Sequence, residues 1–202
     1  MKSQERMRAA YAAYQKGDLH AALVQAEAAL KALPRDPGIL QFAGVVSCQS
    51  GATEKGVDYL QRALQNGGDS DDNRINLAKA LSELGRWQEA LDICAPNGAA
   101  PSPDRQRMHA DLLKAQGRPA EAVWAYERIV YEQPQNFDAW NNLGNARHES
   151  GDLDGAMDAF QQARLLDPKS SLVHTNLARV LISKDRYQDA CLMLEKAALL
   201  AP

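Results

Sequence analysis

One residue type recurs along this chain at nearly constant intervals. Gly17, Gly51, Gly85, Gly117 and Gly151 are followed at the sixth place by Asp185, with spacings of 34, 34, 32, 34 and 34. A small side chain stands five residues after each (Ala22, Gly56, Ala90, Ala122, Ala156, Ala190), and another seven before each (Ala10, Gly44, Ala78, Ala110, Gly144, Ala178). Self-similarity at a period of roughly 20 to 50 residues marks a stack of like supersecondary units. Six copies account for all 202 residues, so the fold is an array of units that each pack on their neighbours.

Composition says what each unit is made of. The chain holds 34 Ala against 8 Val, 5 Ile and 2 Thr, rich in the best helix former and poor in residues that suit a sheet. The class is therefore all-α, with two antiparallel helices per unit. The glycine supplies the left-handed conformation that ends the first helix, and Pro34, Pro134, Pro168 and Pro202 close units. Asp36, Ser102 and Asn136 are N-cap residues at helix starts. Asp72, Asp104 and Asp138 fall in first turns, where a carboxylate complements the helix dipole, and are assigned to stability. The recurrent small residues lie where paired helices cross, because larger ones would push the axes beyond about 8 to 10 Å.

These residues resemble the tetratricopeptide repeat (TPR) family. The fullest match is 137–170, where Trp140, Leu143, Gly144, Gly151, Ala156, Phe160, Ala163 and Pro168 follow the family signature. Arg6 and His109 depart from it, as does Asp185 at a turn. The resemblance implies a right-handed α-solenoid of six helix-turn-helix units at about 3–36, 37–70, 71–102, 103–136, 137–170 and 171–202. In the third unit the helix that begins near Trp87 meets Ala95-Pro96-Asn97-Gly98, and proline there removes a helical hydrogen bond. An irregular loop is expected at 95–103, either a hinge dividing 1–95 from 103–202 or a tolerated surface deletion.

In the TPR family the first helix of each unit lines an extended concave face, and function is sought there. Asn76, Asn142 and Asn176 share one register, with Met108 in the fourth unit and Arg8 and Phe42 in the first two. Asn is a mediocre helix former, and its amide can pair with both the N–H and the C=O of a peptide laid along the groove. The pattern resembles the asparagine ladder in TPR arms of O-GlcNAc transferase-like proteins. The alternative is an Asn bonded to the neighbouring unit or to water. One turn further on come Lys79, Asp111, Asn145 and Arg179, which read a partner's charges or form a solvated face. The candidate peptide-contacting set is Asn76, Lys79, Met108, Asn142, Asn145, Asn176 and Arg179.

Other chemistries find less in the sequence. The Lys/Asn clamp by which co-chaperone TPR domains hold a chaperone's C-terminal carboxylate is absent from three successive units: Gln41 and Val45, Asn76, then Asp104 and Met108. Gly51 and Gly56 have phosphate-loop spacing, but Val57-Asp58 replaces the required Lys-Ser/Thr. His20, His109, His148 and His174 lack ligand spacing, and Cys48, Cys94 and Cys191 lie far apart, so no metal, cofactor, disulfide framework or catalytic set is expected. Net charge is −3 without a basic stretch, which argues against nucleic acid. The charged start and the lack of a long apolar run predict a soluble, cytoplasmic protein with no membrane insertion.

The expected function is a protein-protein interaction module that binds an extended peptide or protein segment in its groove. One alternative is the N-terminal substrate-recognition arm of a larger bacterial sulfotransferase or glycosyltransferase. Another is a scaffold that self-associates through an uncapped last repeat carrying Leu192, Met193, Leu199 and Leu200.

Overall fold

The computed structural model describes residues 2–95 and 101–201, and among these every regular element is an α-helix. Six helical hairpins follow in order: α1 (Lys2–Gln15) with α2 (Leu19–Leu30), α3 (Pro37–Gln49) with α4 (Thr53–Gln65), and α5 (Asp71–Glu83) with α6 (Trp87–Cys94). Then come α7 (Pro103–Ala115) with α8 (Pro119–Glu132), α9 (Phe137–Ser150) with α10 (Leu153–Leu166), and α11 (Ser171–Ser183) with α12 (Tyr187–Leu200). The architecture is the expected all-α array of helix-turn-helix units. No helix among the described residues is long and apolar enough to cross a membrane.

The punctuation works as its chemistry requires. All five turn glycines have positive φ, from 69° at Gly117 to 87° at Gly151, and Asp185 takes the same left-handed region at φ 57°. Asp36 accepts from Ile39 N at 3.0 Å and Asn136 from Ala139 N at 3.0 Å, each satisfying a first-turn N–H that has no intrahelical partner. The recurrent small residues are buried at the crossings. A Cβ placed on Gly144 would stand 2.6 Å from the Phe160 ring, so only glycine lets α9 and α10 approach this closely.

The chain divides into two compact units, one reaching to Met108 and the other starting at His109, with the division inside α7. The core of unit 1 gathers Ala26, Ala29, Leu40, Ala43 and Tyr59 among others. The core of unit 2 is built on Phe160, Val173, Leu177 and Val180 with Ala156 and Ala163. Alanine thus provides close helix contact, and larger apolar side chains such as Leu40, Tyr59, Phe160 and Val173 fill the space between helices.

Helix α6 is short and ends at Cys94, as Pro96 predicts. Residues 96–100, the middle of the expected loop and hinge at 95–103, lie outside the described residues. What secures the end of α6 is Arg105, buried at 4% exposure. Its Nε donates to Cys94 O at 3.2 Å, Nη2 to Ala95 O, and Nη1 to Asp71 Oδ1 at 3.1 Å. One guanidinium therefore satisfies two carbonyls at the end of α6 and pairs with a carboxylate. Burial works against ionisation of Asp71, yet the Ser102 N–H and hydroxyl and then Arg105 outweigh it and hold the carboxyl below its ordinary value.

Candidate functional site

In unit 1 an open cleft of about 230 Å³ lies between α3, α4 and α5. Helix α3 supplies Val45, Cys48 and Gln49, α4 supplies Leu60, and α5 supplies Asn76, Lys79, Ala80 and Glu83. The four α5 positions follow the i, i+3, i+4, i+7 rule and so share one face. Gly44 and Gly56 set the depth: a Cβ on Gly44 would lie 2.6 Å from Leu60 Cγ, and one on Gly56 would lie 2.9 Å from Gly44 O.

Two of the sequence-predicted residues, Asn76 and Lys79, meet in this cleft. Asn76 is half-buried and Lys79 exposed, and among the described residues neither the amide nor the ammonium has a hydrogen-bond or ion-pair partner. Glu83 Oε2 accepts from Thr53 Oγ1 at 3.4 Å. Burial, and next the charge of Glu83, push the Cys48 thiol above its ordinary value, so it enters the cleft as a neutral, weakly polar group.

The same register in unit 2, one hundred residues further on, is built differently. Leu60 corresponds to Phe160, Ala80 to Val180 and Cys48 to His148, each a larger side chain. Asn76 corresponds to Asn176, which is buried at 3% exposure. Its Nδ2 donates to Asn141 Oδ1 at 2.8 Å, and its Oδ1 accepts from Arg179 Nη1 at 3.1 Å. His148 Nε2 lies 2.9 Å from Ser183 Oγ, and that hydroxyl donates to Arg179 O at 3.2 Å, so the imidazole is the donor. Burial, and then the charge of Arg179, lower the His148 pKa. Helices α9 and α11 are thus laced by their own side chains.

The remaining candidates fall between these extremes. Asn142 is half-buried with no partner among the described residues, and the buried Oδ1 of Asn145 likewise has none. Met108 is half-buried on α7. Asp111, at the register of Lys79, accepts a hydrogen bond from the Tyr126 hydroxyl. Sequence reasoning passed over Asn141, the first residue of the NNLGN run, whose signal was its adjacency to Asn142. At the other end, Phe42 holds the asparagine register and meets Tyr11 edge-on at 4.6 Å between ring centroids, so an aromatic cluster stands there.

Two family models, each described as tetratricopeptide repeat, match the chain: one over 7–73 and 107–171, the other over 147–202. The chain belongs to the tetratricopeptide repeat family. Among curated relatives, this TPR chain is 31% identical over 106 residues to small glutamine-rich tetratricopeptide repeat-containing protein 2 of Mycosarcoma maydis. That match covers 49% of the chain and 30% of the relative, and the chain spans 60% or less of the other curated relatives it matches. A tetratricopeptide repeat protein from Parabacteroides merdae has the same fold with a TM-score of 0.83 at 17% identity, covering 100% of this chain and 80% of that one. YrrB, described as a TPR protein with an unusual peptide-binding site, superposes with a TM-score of 0.69 at 18% identity, covering 88% of this chain and 92% of YrrB. These matches give a TPR scaffold; the transferase-arm and asparagine-ladder expectations draw no support from them. Among the described residues no group of three or more His, Cys, Asp or Glu could hold a metal.

Proposed function

We propose that this TPR protein is a non-catalytic scaffold that binds an extended segment of a protein partner along the first-helix face, with Asn76 and Lys79 of unit 1 as principal contacts. The observation that carries this is the open cleft lined by the Asn76 amide and the Lys79 ammonium, neither of which has a partner among the described residues. An amide at that place can accept from one peptide N–H and donate to one C=O, which recognises backbone with little regard to sequence. Taken by itself, unit 2 presents a similar amide at Asn142, half-buried and without a partner among the described residues. Asn176 contributes by joining α11 to α9 through Asn141, and Arg179 holds the Asn176 amide from within α11. The repeat family and the peptide-binding site named for YrrB support the same reading.

The test is capture of partners from lysate by the full chain and by Asn76→Ala/Lys79→Ala. A partner recovered by the wild type and lost with the double variant is the expected outcome; equal recovery would remove the cleft from the account. A second reading, self-association through α12, is favoured by the exposure of Leu192, Leu194 and Leu199 on that helix. Light scattering over a concentration series checks it, and a constant monomer mass counts against it.

A further inference from the structure

We infer that the α3–α4–α5 cleft is a specificity pocket that takes one large apolar side chain, of Leu, Met or Phe size, from a partner peptide with an acidic residue beside it. The inference rests on the peptide-binding reading above and adds what that peptide must contain. The volume, about 230 Å³, exceeds the roughly 150 Å³ of a cavity that holds benzene. Val45, Leu60 and Ala80 are its apolar lining, Leu60 and Ala80 being buried at 0% and 2% exposure, Gln49 and Glu83 line it as well, and the Cys48 thiol, kept neutral by burial, adds no charge. Asn76 stands at the same cleft to engage the peptide group of the anchoring residue. Lys79 has no carboxylate partner among the described residues, so a neighbouring Asp or Glu of the partner supplies one.

The same register in unit 2 carries larger side chains and a buried asparagine. Phe160 and Val180 occupy the places of Leu60 and Ala80, and Gly144 gives the Phe160 ring its room. Gly44 leaves the same room beside residue 60, so Leu60→Phe/Ala80→Val carries over side chains that this chain already packs at the equivalent register. Circular dichroism and thermal melting check that the variant folds.

A random peptide library displayed on phage is selected on the immobilised full chain, and affinities of the selected peptides are measured. The expected consensus has a large apolar residue next to an acidic one. Truncating that apolar residue to Ala weakens binding to the wild type by about tenfold to a hundredfold. Leu60→Phe/Ala80→Val weakens the parent peptide similarly, and truncation then costs little more. The bound peptide also slows alkylation of Cys48 by iodoacetamide while the exposed Cys191 reacts unchanged as an internal reference. Selected peptides that lack an apolar anchor, or that bind the double variant as well as the wild type, overturn the pocket and leave the peptide-binding reading standing. Failure to enrich any peptide overturns both.

Discussion

The cleft around Leu60 and its counterpart around Phe160 occupy one register of one repeat pattern, yet they do opposite things with the same asparagine. At Asn76 the amide faces an opening and has no partner among the described residues; at Asn176 it is buried and bonded to Asn141 and Arg179. What differs is the filling beneath. Phe160 and Val180 underlie the buried Asn176, whose polar neighbours pair with it, whereas the smaller Leu60 and Ala80 line the cleft at Asn76. A repeat position therefore fixes which way a side chain points, while its neighbours decide whether it binds a ligand or holds the scaffold.

The comparison breaks most visibly if the fillers are removed. Phe160→Ala should cost about 3–5 kcal/mol, because a ring packed from all sides leaves a cavity that cannot collapse. Leu60→Ala should cost about 2 kcal/mol, the low end for such a change, since its cavity merges with an existing opening. Denaturant melts of both variants measure the gap, and equal losses would mean that the surroundings of Leu60 are as tightly packed as those of Phe160.

The asparagines themselves give the next largest difference. Asn176→Ala strips the donor from the buried Asn141 oxygen and should cost about 1–2 kcal/mol, while the exposed Arg179 guanidinium returns to water. Asn76→Ala removes no side-chain bond among the described residues and should stay within about 0.5 kcal/mol of wild type. Its effect belongs to peptide affinity. A stability loss at Asn76 matching that at Asn176 would assign both amides to the scaffold.

The crossing glycines refine the point further. A Cβ at position 44 or 144 starts 2.6 Å from the side chain opposite, Leu60 or Phe160 respectively. Alanine gains about 1 kcal/mol of helix propensity over glycine, which offsets part of either clash. Even if Leu60 shifts toward the cleft, the Gly56 carbonyl oxygen lies 3.1 Å from such a Cβ, so Gly44→Ala should be destabilising by up to about 1 kcal/mol. Phe160 cannot yield, and Gly144→Ala should be net destabilising by about 1–2 kcal/mol, the range for overpacking after that offset. Melting temperatures of the pair decide whether the cleft is the reason.

Much of this was legible in the sequence. Turn glycines, N-caps and the small residues at crossings act through local backbone geometry, which one residue type can specify. The register of Asn76, Asn142 and Asn176 was legible for the same reason. Their burial was not, because it depends on side chains far away in sequence, such as Phe160 and Asn141 around Asn176. Arg105 escaped notice for a related cause. Its carbonyl partners, Cys94 and Ala95, lie across the interruption of the repeat, where the period that guided the reading fails.

The smallest expected effect concerns pH and separates the two sites by sign. His148 is held below its ordinary value of 6.5, by burial first and then by Arg179, with Glu149 opposing. The unfolded chain therefore binds the proton more readily, and the stability that neutral His148 contributes is present above 6.5 and lost as pH falls through the lowered folded value. His148→Gln, which keeps a donor for Ser183, should flatten the fall in melting temperature between about pH 6.5 and 5. Cys48, at the same register in the α3–α4–α5 cleft, is raised above 9.0, so its contribution is present below that value and lost as pH rises beyond it. The acid limb then belongs to the closed site and the alkaline limb to the open one. Identical acid limbs for wild type and His148→Gln would show that the imidazole is not held neutral by the lacing of α9 to α11.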